Sequence, residues 1–420
     1  MPRIAFLTNC IPPYHKPVLD VLANRYGREN FRVLLSTPME SNRSWELEWD
    51  DLDVVVQKTV TLKGRWRHPR FRESTQVHFP LDTLSQLRRF SPDVVISTEM
   101  GLRSLSAVAF TKLCRGSRAI LWTEVNELTE HGRGVARKIL RKLLVRHAHA
   151  FLALGDGGVR YIESLGAPVQ RIFKLAYTTD VSRFGEESRQ PSAISCQRSD
   201  ISHQPSAISD QPSAISDQPS AMEKRLLYVG QLIERKGMLP FTSALKDWAE
   251  RNPDRDIELV FAGSGPLEAA LRARKLPPNL RFEFLGDVSY QDLPHIYARA
   301  RILVFPTLAD TWGVVVNEAM AAGLPILGSV NSQAVQELVT DGRTGWTFRA
   351  EQPEEMYQAI HRCLTTPGET LQAMGSAARC TALELTPARV ANMIHAAIEF
   401  CLSDVNRGNT IAQEVCLPPV

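Results

Sequence analysis

Two acids eight positions apart, Asp310 and Glu318, stand in the stretch ILVFPTLADTWGVVVNEAMAAGLPILG at Ile302–Gly328. An apolar run ends at Pro306, a loop carries Asp310, and a helix expected from near Gly313 carries Glu318 and stops at Gly323. The first amides of a helix lack intrahelical acceptors and favour an anion, so Gly313, Val314 and Val315 form a candidate phosphate site. Glu318, more than a turn inside the helix, could reach a neutral polyol such as ribose. The alternative is a helix-flanking aspartate and a solvated surface glutamate. A second stretch, YVGQLIERKG at Tyr228–Gly237, sets Arg235 and Lys236 beside a glycine, which suits a tight loop presenting cations to a diphosphate. Its alternative is an ordinary solvated pair. In a third, FAGSGPL, Gly263 and Gly265 flank Ser264 and permit close backbone approach, as would any tight turn.

Other charged groups point to surfaces. Arg133, Arg137, Lys138, Arg141, Lys142 and Arg146 surround Val135, Ile139, Leu140, Leu143 and Leu144 at helical spacing. That pattern fits either a helix lying on anionic lipid or a domain helix with a solvated basic face. Lys63–Arg72, KGRWRHPRFR, reads as a basic loop near a membrane or a phosphorylated acceptor, and is too small a footprint for nucleic acid. Asp51 with Asp53, and Asp254 with Asp256, imitate a metal-binding pair but precede strands, the wrong end for a site. No metal site is expected.

These residues need a frame. Short β-branched runs alternate with helical patterns throughout. The strands expected in the first half are Arg3–Asn9, Phe31–Thr37, Val54–Val60, Asp93–Ser97, Ala119–Thr123 and Phe151–Leu154. Those in the second are Leu226–Val229, Ile257–Ala262, Arg281–Leu285, Ile302–Pro306, Pro325–Gly328 and Trp346–Phe348. Strands apolar on both faces, each followed by a helix, describe parallel sheets covered on both sides. Ligands of such sheets sit beyond the strands' carboxyl ends, where the loops above lie. The chain's 420 residues suit two domains, 1–185 and 223–386. Between them, 186–222 repeats a proline-containing heptad around Gln190–Ala221 and reads as a disordered linker; 387–420 reads as a helix over Pro387–Leu402 and a frayed tail. Net charge is +3, and the seven cysteines never form a CxxC pair, which suits a reducing compartment. The first strand begins almost at Met1 and no apolar run is long enough to span a bilayer, so the expectation is a cytoplasmic protein touching membrane at most peripherally.

Together GQLIERKG, FAGSGPLEAAL, FLGDVSYQDLPHIYARARILVFP and DTWGVVVNEAMAAGLPI resemble, in order and spacing, the retaining GT-B glycosyltransferases of family 4. The resemblance covers nearly all of Leu226–Phe348. It implies two Rossmann-like domains facing a cleft, with a nucleotide-diphosphate sugar in the second and a glycan, lipid-linked or small-molecule acceptor in the first. It implies that Asp310 contacts donor-sugar hydroxyls and Glu318 holds ribose. The diphosphate then lies against Lys236 and the amides after Asp310, from Thr311 and Trp312 to Val315, and the base near Gly286 and Val288. No cofactor beyond that co-substrate is implied. The family usually has arginine where this chain has Gln231, and Arg235 is the candidate replacement. Many members carry a histidine after a first-domain strand; here AILWTEVNE puts Glu124 near that place, with His15 and His131 as further candidates. A sugar-nucleotide epimerase or hydrolase, or a silent membrane-surface binding protein, are the rival readings. The first strand leads into NCIPPYHK, without the glycine fingerprint of a dinucleotide-binding dehydrogenase.

Overall fold

A computed structural model describes residues 1–40, 49, 51–114, 116–185 and 224–406. Its strands are β1 (Ile4–Thr8), β2 (Phe31–Leu35), β3 (Asp53–Val56), β4 (Thr59–His68), β5 (Phe71–Pro80), β6 (Val94–Thr98), β7 (Arg118–Thr123), β8 (Ala150–Leu154) and β9 (Ile172–Leu175). The second half adds β10 (Arg225–Val229), β11 (Ile257–Ala262), β12 (Leu280–Gly286), β13 (Ile302–Phe305), β14 (Ile326–Ser329) and β15 (Gly345–Phe348). Two parallel sheets result, ordered β3-β2-β1-β6-β7-β8-β9 and β12-β11-β10-β13-β14-β15. β1, β6, β8, β13 and β14 are buried along their whole length, as sheets covered on both faces require. Strand order reverses between β1 and β6 in one sheet and between β10 and β13 in the other, and each reversal opens a crevice at the carboxyl ends.

Three expectations change. The run read as one strand, Val54–Val60, breaks: β3 ends at Val56 and β4 begins at Thr59. The expected basic loop Lys63–Arg72 is the end of a long antiparallel hairpin, β4–β5, paired from Thr59 with Pro80 to His68 with Phe71. Alternation hides there because Lys63, Arg65 and Arg67 point to water while Trp66 and His68 are buried. β9, which closes the first sheet, is four residues long and only Leu175 is buried, too short to stand out in the sequence. The repeat Gln190–Ala221 and the tail after Asn406 lie outside the described residues.

The last helix, Pro387–Asn406, returns to the first domain. Val390, Ala391, Ile394, Ala397, Ile398 and Cys401 are buried at helical spacing. Tyr26 Oη lies 2.6 Å from His395 Nδ1, Arg25 donates to Asn392 at 2.5 Å, and the rings of Phe173 and Phe400 meet edge-on at 5.5 Å. The chain therefore crosses between the domains twice. No described helix is long and apolar enough to cross a membrane.

Candidate functional site

At the β10–β13 crevice the loop after β13 and the loop after β10 hold each other. Asp310, 8% exposed, accepts from Lys236 Nζ at 2.6 Å and Arg235 Nη1 at 3.3 Å. Burial works to raise the Asp310 pKa, but the two cations outweigh it and hold the carboxyl down at about 2. Arg235 Nη1 also reaches the Ala309 carbonyl at 3.2 Å, while the Arg235 carbonyl accepts from the Leu308 amide at 2.8 Å. Gly237 permits this closeness: its φ is +71°, and a Cβ there would stand 2.0 Å from the Pro306 carbonyl oxygen. Gln231 lies in the same loop, its carbonyl accepting from Tyr228 Oη at 2.7 Å.

Helix Val314–Ala321 opens at Gly313, whose φ of +106° turns the chain into the helix axis. Thr311 and Trp312 lead into it. Trp312 is buried and its indole donates to Asn317 at 2.8 Å, locking the first turn. The solvated alternative for Glu318 is overturned: it is 3% exposed and accepts from Tyr297 Oη at 2.8 Å. Burial pushes its pKa up to about 7, against the lowering pull of that hydrogen bond and of Arg183. The buried carboxyl presents oxygens that can accept from neutral hydroxyls, as they do from Tyr297. The glycines of FAGSG serve loop packing first, since a Cβ at Gly263 would lie 2.2 Å from the Gly230 oxygen and one at Gly265 2.6 Å from the Leu232 oxygen. Ser264 Oγ donates to Asp287 at 2.8 Å. Gly286, at φ +70°, accepts from the Gly263 amide, and half-buried Val288 follows it.

The first domain faces this site through Glu124, at the carboxyl end of β7. Its carboxyl accepts from Tyr177 Oη, and burial raises its pKa to about 7. Tyr177 joins the two sides: its carbonyl accepts from Asn317 Nδ2 at 2.9 Å, and its ring meets Trp312 at 6.2 Å. His15 is buried against Tyr14, Trp122 and Tyr177, and loss of water drops its pKa to about 3, so it is neutral. His131 stands apart, its carbonyl accepting from the Trp66 indole and its ring near His68. Several residues here carried no sequence signal we used. Glu99, a non-glycine at φ +66° just after β6, holds Arg103 at 3.1 Å, and Arg103 is 3% exposed. Its position after a strand end was the available clue. Asp53 pairs with Arg32 at 2.7 Å at the start of β3, away from either crevice. Among the described residues no cluster of three His, Cys, Asp or Glu could hold a metal ion.

Helix Val135–His147 carries features of both its readings. It buries Arg141, Leu144 and Val145; Arg141 pairs with Glu130 and donates to Tyr161 Oη at 2.7 Å. Val135, Ile139 and Leu143, one stripe at four-residue spacing, are 75%, 64% and 46% exposed, beside exposed Lys138, Lys142 and Arg146.

Residues 223–366 match the family model for glycosyl transferases group 1. The alpha-D-kanosaminyltransferase of Streptomyces kanamyceticus is 30% identical over 146 residues, 34% of this chain and 36% of that protein. A D-inositol 3-phosphate glycosyltransferase of Corynebacterium diphtheriae is 30% identical over 162 residues, 37% of each. The aligned part spans little more than a third of the length of these relatives. Solved structures agree in fold over most of the chain. Anabaena HepE in complex with UDP superposes with a TM-score of 0.67 at 15% identity, covering 94% of this chain and 99% of that one. Sucrose-phosphate synthase of Thermosynechococcus elongatus gives 0.66 at 14%, covering 96% and 100%. The described residues have the GT-B fold, and residues 223–366, within the second domain, are similar to the glycosyl transferases group 1 family.

Proposed function

We propose that this protein transfers a sugar from a nucleotide-diphosphate donor, bound by the second domain, to an acceptor held by the first, with retention of anomeric configuration. The observation that carries the reading is the clasp of Asp310 by Lys236 and Arg235 at a helix start, with a second acid buried inside that helix. Asp310 is held ionised between Lys236 and Arg235, and Glu318 is buried against the Tyr297 hydroxyl. In this reading Glu318 takes the ribose hydroxyls and Asp310 orients the donor sugar. As the glycosidic bond breaks, negative charge grows on the diphosphate; Lys236, Arg235 and the amides opening helix Val314–Ala321 stabilise it in a site shielded from water. Those groups supply the positive charge, so no step requires a metal ion. Glu124, beside Tyr177 across the cleft, holds the acceptor hydroxyl. UDP in the structurally similar HepE supports a nucleoside diphosphate as the leaving group.

The outward apolar stripe of Val135, Ile139 and Leu143, flanked by lysines, supports an acceptor presented at an anionic membrane surface. A panel of UDP-, GDP- and ADP-sugars, assayed with and without glycan and polyprenyl-phosphate-linked acceptors in chelator, tests the reading. Acceptor-dependent release of the nucleoside diphosphate is expected, with the anomer read by NMR. Equal release without any acceptor would identify a hydrolase or epimerase instead. Arg235→Ala and Lys236→Ala should each weaken diphosphate binding by about 1.5–3 kcal/mol and leave free nucleoside binding almost unchanged.

A further inference from the structure

The cation proposed for the diphosphate is already engaged, and by the other domain. Arg235 Nε lies 2.7 Å and Nη2 3.4 Å from the carboxyl oxygens of Glu73, on β5 of the hairpin. The hairpin spans the cleft here. The Arg72 amide donates to Glu234 at 3.2 Å, Arg70 pairs with Glu351 at 3.1 Å, and Trp66 and Phe71 pack with Ala309 and Leu308. Its other edge stays with the first domain: the Trp66 indole donates to the His131 carbonyl at 2.9 Å, and the Arg133 guanidinium lies 4.0 Å above the Trp66 ring.

Glu73, Asp310, Arg235 and Lys236 thus form two cations and two carboxylates joined by ion pairs. A nucleoside diphosphate brings at least two further negative charges, which compete with both carboxylates for the same two cations. One carboxylate can yield its cation. Asp310 cannot, being fixed in the donor-domain loop by its own helix start. Glu73 can, because it belongs to a hairpin anchored in the opposite domain. Among the described residues the hairpin's other polar ties to the donor domain include an ion pair with both side chains about a third exposed and an exposed amide contact, both weak in water, beside the packing of Trp66 and Phe71 on Ala309 and Leu308.

We propose that Glu73 is a positioning residue that gates the leaving-group site. It holds Arg235 in place when no diphosphate is bound, yields it when the donor enters, and competes for it again after transfer, so that its return helps expel the nucleoside diphosphate product. The hairpin lifts from the donor domain each time Arg235 changes partner. This rests on the diphosphate reading of Arg235 given above.

The test is calorimetric titration of UDP, GDP and ADP, and of the matching nucleosides, into the full-length protein and into Glu73→Gln. The diphosphate that binds the parent most tightly should bind Glu73→Gln about tenfold more tightly, the worth of one displaced charge-assisted contact, with nucleoside affinity unchanged. A merely structural role for Glu73 would move both or neither. Hydrogen exchange on the unmodified protein gives an independent readout. A saturating diphosphate should speed exchange of the Arg72 amide, which donates across the cleft to Glu234, and the nucleoside should not. Unchanged or weaker diphosphate binding in Glu73→Gln, or hairpin exchange indifferent to diphosphate, would overturn the gate while leaving the site assignment intact. Failure of the parent to bind any of the three diphosphates would overturn both.

Discussion

Replacing Glu318 with glutamine separates the burden of a buried acid from its use. Burial holds its carboxyl at about 7 against an ordinary 4.5, so between those values the native protein keeps a proton that the unfolded chain has released. The acid's contribution to stability therefore falls as pH rises from about 4.5 to about 7 and then levels off. At about 1.4 kcal/mol for each tenfold in proton affinity, the ionised side chain destabilises the fold by roughly 3 kcal/mol above neutrality. Glutamine keeps the shape and an oxygen for the Tyr297 hydroxyl 2.8 Å away, but never ionises. Glu318→Gln should match the parent near pH 4.5 and exceed it by roughly 2–3 kcal/mol near pH 8. Urea denaturation of both proteins across that range gives the difference, in which Asp310, Glu124 and the histidines cancel because both proteins carry them. Uridine and UDP should bind the variant more weakly by a similar amount each, about 1–3 kcal/mol, since the group lost faces the ribose in both. A stability difference that does not vary with pH would refute the reasoning, and so would one that grows as pH falls.

Asp310→Asn works in the opposite direction. The parent acid's stabilisation is complete above its ordinary value of 3.8 and is lost as pH falls towards about 2, so at neutral pH the variant should be about 2–3 kcal/mol less stable and unable to transfer sugar, by thermal scan and activity assay. Gly313→Ala should lower the melting temperature and donor affinity together, costing about 2 kcal/mol or more: φ is +106° and the new Cβ would stand 2.5 Å from the Phe305 ring. Ile139→Asp combined with Leu143→Asp should leave the fold unchanged and abolish adsorption to anionic vesicles. In the parent that adsorption should fade as salt rises; equal binding by both proteins would remove the membrane reading.

The second domain was the more legible in sequence. Leu226–Val229, Ile257–Ala262 and Ile302–Pro306 are apolar on both faces and end in the loops that bear Arg235, Gly263 and Asp310, so strand, crevice and charge follow one another along the chain. The burial of Glu318 was not legible, because the same helical position serves water or a core depending on what Tyr297 and its neighbours bring against it. Helix Val135–His147 shows the same limit. Its period announces an amphipathic helix, but tertiary context alone turns Arg141 inward to Glu130 and Ile139 outward. The contact of Glu73 with Arg235 joins residues 162 positions apart, and Glu73 lies in a hairpin that alternates charged and aromatic side chains, a pattern indistinguishable locally from a basic loop.

The homeward path of helix Pro387–Asn406 has a consequence for how the protein is made. The first domain's sheet is complete once β9 has been synthesised, yet the face made by the Lys16–Tyr26 helix, β8 and β9 still lacks its cover, which is encoded about 200 residues later. At roughly 5–20 residues per second, that face waits on the order of ten to forty seconds on the ribosome. The donor domain, contiguous over residues 224–386, can fold in the interval, so the half of the chain that is translated second is the half able to finish first.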